Sequence, residues 1–302
     1  MVPARFLLPQ HWPAWVALGI TLLLARLSYP SLLRASAAIG AFARFVLPAQ
    51  RRVVRRNLEL CLPELDAAQR ERILREHFRS LGITVGETAL AWWASDERVR
   101  ELARIEGLEH LDRALAGGKG AIMLAAHFTS LEIGARIMTI TRPTHAVYKP
   151  TKNELIRHYM VARRDAGSEG MIAKDDIRSM VRVLRANGIV WYAPDQAYRR
   201  KGAEMVPFFG IPVATNTATS RLARVTGAPV LPYFVERLPD AGGYRVTIGA
   251  PFEHFPSDDS IADTLRFHRL IEAQVRRDPA QYLWVHKRLK GLSADYPNYY
   301  GD

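Results

Sequence analysis

One cysteine, Cys61, stands in 302 residues. That excludes an intrachain disulfide and a zinc site built from several cysteines, and leaves Cys61 as a small apolar packing residue. Acidic side chains are missing from the start of the chain: none precedes Glu59, while Arg5, Arg26, Arg34, Arg44, Arg51, Arg52, Arg55 and Arg56 all do. The uncharged stretch Trp12–Leu24 falls short of the twenty or so residues that cross a hydrocarbon core. A Gly-x-Ser-x-Gly elbow is absent, which removes the usual serine nucleophile. Gly117, Gly118 and Gly120 precede a strand rather than follow one, and lack the further glycine of a dinucleotide loop, so no nicotinamide cofactor is expected. The nine histidines are scattered without the i, i+4 helical pairing of a zincin, so no metal is expected either. There is no internal repeat and no low-complexity tract.

What is present begins with charge. A net charge of +12 requires a partner or a surface: nucleic acid, an anionic membrane, or acidic substrates and carrier proteins. The early arginines alternate with apolar and aromatic residues, which suits a membrane interface better than a nucleic-acid arm. Trp12–Leu24, extended to about Leu33 by snorkelling of Arg26, reads as an uncleaved anchor, spanning or deeply interfacial. Ser36–Leu47 reads as a second helix lying on the membrane. The arginine excess places the main domain on the cytoplasmic side. Residues 1–48 are thus expected to be a membrane-associated extension, 49–106 a basic helical layer and 107–302 an α/β core.

The stretch that organises this core is Ala121–Glu132. An apolar run from Ala121 to Ala126 meets His127, and Glu132 follows five positions on. The run reads as a buried strand, and Thr129 and Ser130 as N-caps for the helical pattern beyond. Positions i and i+5 of one helix lie about 140° apart. His127 can therefore meet Glu132 only from the turn, folded back toward the first turn of the helix. Glu132 would then accept one ring N–H and leave the other nitrogen as a base. Taken alone, His127 also reads as a satisfied strand-end residue, and Glu132 as a complement to the helix dipole.

Further apolar strands are expected at 144–148, 189–193, 229–235 and 244–248, separated by helical patterns. Pro207–Gly210 reads as a loop or short edge segment. Alternating strands and helices indicate a mostly parallel central sheet flanked by helices, with functional groups beyond the carboxyl ends of the strands. His127, Lys149 and Asp195 stand at three such ends. Lys149, Arg164, Arg199 and Arg200 could hold phosphates; a solvated basic face serves Arg199 and Arg200 equally well. With no nucleophile near His127 in the sequence, direct transfer to an acceptor hydroxyl fits better than a covalent intermediate.

The blocks Arg55–Glu64, His77–Gly82, Gly118–Glu132, Val147–Pro150, Val190–Gln196, Val206–Gly210, Arg221–Ala223 with Thr226–Ala228, and Gln281–Arg288 occur in order. Through them, from about Arg51 to Tyr300, the chain resembles the lipid A biosynthesis acyltransferases, the lauroyl/myristoyl family of Gram-negative inner membranes. The resemblance implies a fold like that of the glycerolipid acyltransferases and an inner-membrane enzyme facing the cytoplasm. Its donor would be acyl carrier protein or a CoA thioester, and its acceptor a hydroxyl of a phosphorylated lipid A precursor. His127 would be the general base, Glu132 its orienting partner, and Lys149, Arg164 and Asp195 would line the substrate site. Lys149 stands where the family more often has arginine, which weakens the case for bidentate phosphate binding there. Other lipid acceptors, a thioesterase using water, and a non-catalytic lipid-binding protein remain open from the residues alone.

Overall fold

A computed structural model describes residues 3–151, 153–165 and 170–301. After two 3₁₀ turns, Ala4–Leu7 and Pro9–His11, come five α-helices: α1 (Trp12–Ala25), α2 (Tyr29–Val46), α3 (Pro48–Cys61), α4 (Ala67–Trp93) and α5 (Asp96–Glu101). The long α4 opens on a capping box in which Asp66 accepts from the Gln69 amide and the Gln69 side chain accepts from the Asp66 amide. The small buried residues Ser36 and Gly40 of α2 meet Gly82 and Gly86 of α4, so the two backbones approach closely.

The expected helical run from Trp12 to about Leu33 is broken. Helix α1 stops at Ala25, where the Arg98 guanidinium takes the carbonyls of Ala25 and Leu27, and α2 restarts with Pro30 in its first turn. At about 1.5 Å per residue, α1 reaches roughly 21 Å against a hydrocarbon core of about 30 Å. Among the described residues no single helix is long and apolar enough to cross a membrane, though α2 and α3, bent by 96°, pass that test together.

The chain then alternates: β1 (Ala103–Glu106), α6 (Leu108–Ala116), β2 (Ala121–Ala125), α7 (Leu131–Thr141), β3 (His145–Tyr148), α8 (Glu154–Asp165), β4 (Met171–Ala173), α9 (Ile177–Arg185) and β5 (Ile189–Tyr192). A hairpin of β6 (Ala203–Phe208) and β7 (Ile211–Asn216) follows, then α10 (Ala218–Thr226), β8 (Val230–Arg237), β9 (Tyr244–Ile248) and α11 (Ser260–Arg277). The seven-stranded sheet has the order β1-β9-β8-β2-β5-β3-β4, and only the β8–β9 pairing is antiparallel. The mostly parallel sheet read from the sequence is therefore observed.

Strand β2 lies in the middle and is buried along its whole length. Ile122 and Leu124 join the core under α3, α9, α10 and α11; Ala121, Met123 and Ala125 join the core under α2, α6 and α7. Four strands depart from expectation: β1, β4, and the hairpin strands β6 and β7. Strand β1, placed by its sequence position in the helical layer, pairs with β9, and the short β4 pairs with β3. Pro207 and Phe208 belong to β6, and Phe209 (φ 51°) with Gly210 (φ 74°) makes the left-handed turn of the hairpin.

Candidate active site

Register brings the site together. Strands β2 and β5 are parallel neighbours with Met123 opposite Trp191 and Leu124 opposite Tyr192. Continued past both strand ends, that register sets His127 opposite Asp195. The ring Nδ1 of His127 lies 2.6 Å from Asp195 Oδ1, and the His127 backbone N–H donates to Oδ2 at 3.0 Å. The Tyr282 hydroxyl donates to the same Oδ2 at 3.3 Å. Asp195 is 2% exposed and the His127 side chain 24%. Burial opposes the charge on Asp195, but the His127 ring and its hydrogen bonds, aided by the Arg288 guanidinium, outweigh it and hold the carboxyl below its ordinary range. An ionised Asp195 fixes the proton of a neutral imidazole on Nδ1 and leaves the Nε2 lone pair to act as a base. Among the described residues nothing hydrogen-bonds Nε2.

The contact expected between His127 and Glu132 is made by another residue. The carboxylate that takes the His127 ring N–H is Asp195, whereas Glu132, in the first turn of α7, accepts from Trp92 Nε1 at 2.7 Å. The ring turns across the sheet toward β5 because the register presents a carboxylate there. Nor do Thr129 and Ser130 cap α7 with their side chains. Thr129 Oγ1 pairs with Ser80 of α4 at 2.8 Å, and Ser130 Oγ donates to Glu87 and to Gln281, each at 3.3 Å. Glu87 is fully buried and paired with Arg237 at 2.7 Å, so the His127 turn rests on a buried ion pair at the end of β8.

Lys149 is exposed just beyond β3, which neighbours β5, and therefore stands at the same edge of the sheet; among the described residues it bonds neither His127 nor Asp195. The Arg164 side chain lies outside the described residues. Arg199 and Arg200 are exposed, and Arg200 pairs with Asp175 at 3.4 Å. The sequence reading missed Trp92, Glu87, Arg237 and the connecting role of Tyr282. The one signal for Tyr282 was its place in the block Gln281–Arg288.

Cys61 offers no nucleophile, since it is buried in the core with its thiol pushed up to about 12 by burial. The fold and site therefore define an α/β protein with a His–Asp pair at the carboxyl edge of its sheet. The chain belongs to the bacterial lipid A biosynthesis acyltransferases, whose family model matches residues 3–291. It is 39% identical over 287 residues to a lipid A biosynthesis palmitoleoyltransferase of Escherichia coli, covering 95% of this chain and 94% of that one. The lipid A biosynthesis lauroyltransferase of the same organism is 32% identical over 293 residues, covering 97% and 96%. Among solved structures, a 1-acyl-sn-glycerophosphate acyltransferase from Thermotoga maritima aligns with a TM-score of 0.38 and 12% identity, covering 80% of this chain and 99% of that one.

Proposed function

We propose that this acyltransferase moves a fatty acyl chain directly from a carrier-protein or CoA thioester to a hydroxyl of a phosphorylated lipid A precursor. The observation that carries the reading is the 2.6 Å contact between His127 Nδ1 and buried Asp195, which prepares Nε2 as a base. The acceptor oxygen attacks the thioester carbonyl while its proton passes to Nε2. The tetrahedral intermediate then collapses, the C–S bond breaks, and the imidazolium returns the proton to the leaving thiolate. General-base assistance of this kind contributes roughly 10²–10⁴-fold. Glu132 is read as a second carboxylate that fixes a wall of the site through Trp92, and Lys149 and Arg164 as cations for the acceptor phosphates.

Residues 1–48 are read as the inner-membrane attachment, with the catalytic domain on the cytoplasmic side. Support comes from exposed apolar residues on the outer faces of α1 and α2, among them Trp12, Val16, Leu23, Phe42 and Phe45, with arginines flanking α1 and lying within α2. Purified His127→Ala, Asp195→Asn and Glu132→Gln variants test the chemistry with an acyl-carrier thioester, acyl-CoA and a lipid A precursor. His127→Ala and Asp195→Asn are expected to lose at least 10²-fold in kcat with folding intact. A pH–rate profile altered by Glu132→Gln and untouched by Asp195→Asn would return the orienting role to Glu132. Mass spectrometry of lipid A from a deletion strain tests the acceptor, since every secondary acyl chain remaining in place would point to another lipid.

A further inference from the structure

The block Gln281–Arg288 has no part in the acyl-transfer steps, yet it touches both loops that supply the base. Its backbone holds the His127 turn. Gln281 O accepts the Thr129 amide at 2.7 Å, the Leu283 amide donates to His127 O at 3.0 Å, and Phe128 and Tyr282 form an antiparallel bridge between them. Its side chains hold the Asp195 loop. Tyr282 donates to Asp195 Oδ2, and His286 Nε2 accepts the Ala197 amide at 3.1 Å. The block is itself anchored, because the Gln281 amide bonds the Arg237 backbone in both directions at 2.9 Å.

We propose that Tyr282 is a positioning residue for acyl transfer, holding the Asp195 carboxylate in the orientation that meets both the ring and the backbone N–H of His127. The inference rests on the reading of His127 as the base. The terminal torsion of an aspartate is broad, so two bonds to one residue leave the carboxylate free to tilt with that residue. A third bond, from a different segment, gives it an external reference. The Tyr282 ring is fixed by edge-on packing against Phe128 at 5.4 Å and Trp284 at 4.9 Å, so the hydroxyl is delivered by a rigid arm. Burial, and then the charge of Asp195, push the phenol well above its ordinary ionisation range and keep it a donor. That donation also draws charge from Oδ2. Without it the carboxylate would hold the protonated His127 ring more strongly.

The test compares full-length wild type, Tyr282→Phe and His127→Ala, with kcat and KM measured across pH on acyl-carrier thioester and lipid A precursor, alongside thermal unfolding. Tyr282→Phe keeps the packing ring. Its kcat is expected to fall roughly tenfold, the kinetic equivalent of one hydrogen bond to a charged group, with KM unchanged. The acidic limb of its kcat/KM profile is expected to move to higher pH, which a loss of folded enzyme would not produce. With His127→Ala inactive, a Tyr282→Phe enzyme whose acidic limb stays in place overturns the positioning role and leaves the base standing. A fully active His127→Ala enzyme overturns both.

Discussion

Gly40 and Gly82 meet backbone to backbone: a Cβ built on Gly40 falls 2.8 Å from the Gly82 Cα, and one built on Gly82 falls 2.5 Å from the Gly40 Cα. Neither neighbour is a side chain that can rotate away. Gly82→Ala is therefore expected to push α2 off α4 and cost about 1–3 kcal/mol, as overpacked contacts do. Gly19→Ala is the internal comparison. A Cβ there meets nothing within 4 Å, so helix propensity alone should leave stability unchanged or raise it by up to about 1 kcal/mol. Equal losses in the two melting curves would contradict the close approach.

Acid should weaken the fold through buried neutral histidines. Burial lowers His77 to about 4, its Nδ1–H donates to Ala280 O, and its Nε2 has no hydrogen-bond partner among the described residues. His268, bonded to Pro207 O, is likewise lowered to about 4, first by burial and then by Arg288. A histidine near 6.5 when unfolded and 4 when folded gives the unfolded chain the extra proton. Stability is then full above about pH 6.5 and declines toward pH 4, by up to about 3 kcal/mol per histidine. Urea unfolding at pH 7.5, 6 and 5 measures the slope, and His77→Gln should flatten it.

Membrane attachment is expected to depend on the outer face of α2. Phe42 and Phe45 are 66% and 65% exposed, and Arg44 stacks over Phe45 at 4.6 Å. A Phe42→Ser, Phe45→Ser protein should bind anionic vesicles at least tenfold more weakly, given about 1.5–3 kcal/mol for burying each ring. Salt should weaken the binding that remains, because arginine–headgroup attraction is screened. Unchanged flotation with vesicles would move the attachment elsewhere.

Cys61 should ignore thiol reagents in the native protein. Only the thiolate reacts, and burial keeps the thiol protonated at every pH at which the fold is studied. Labelling is expected to appear only with denaturant, following the unfolding transition. Rapid labelling of native enzyme would show that the α3 packing opens.

Much of the site is legible in the chain. An apolar run ending in His127 announces a strand feeding a polar turn, and Ile189–Tyr192 leading to Asp195 repeats the pattern. Which carboxylate meets the histidine is not legible, because it depends on strand order. Sequence neighbours β2 and β3 would ordinarily pair, but β5 enters between them, and a separation of 68 residues becomes 2.6 Å. Glu132 is nearer in sequence and answers instead to Trp92, a residue of α4. Glu87 was hidden for a related reason. A glutamate inside an amphipathic pattern reads as solvent-facing, and Arg237, 150 residues on, together with Ser130, makes its burial tolerable.

The bracing of the His127 turn by Gln281 and Tyr282 also orders events during synthesis. The amino-terminal part of a chain leaves the ribosome first. His127, Glu132 and Asp195 all emerge well before the segment that anchors their turn to Arg237 and to the Asp195 loop. A nascent chain thus carries His127, Glu132 and Asp195 without the contacts that brace their turn until residues 281–288 have been made and have docked.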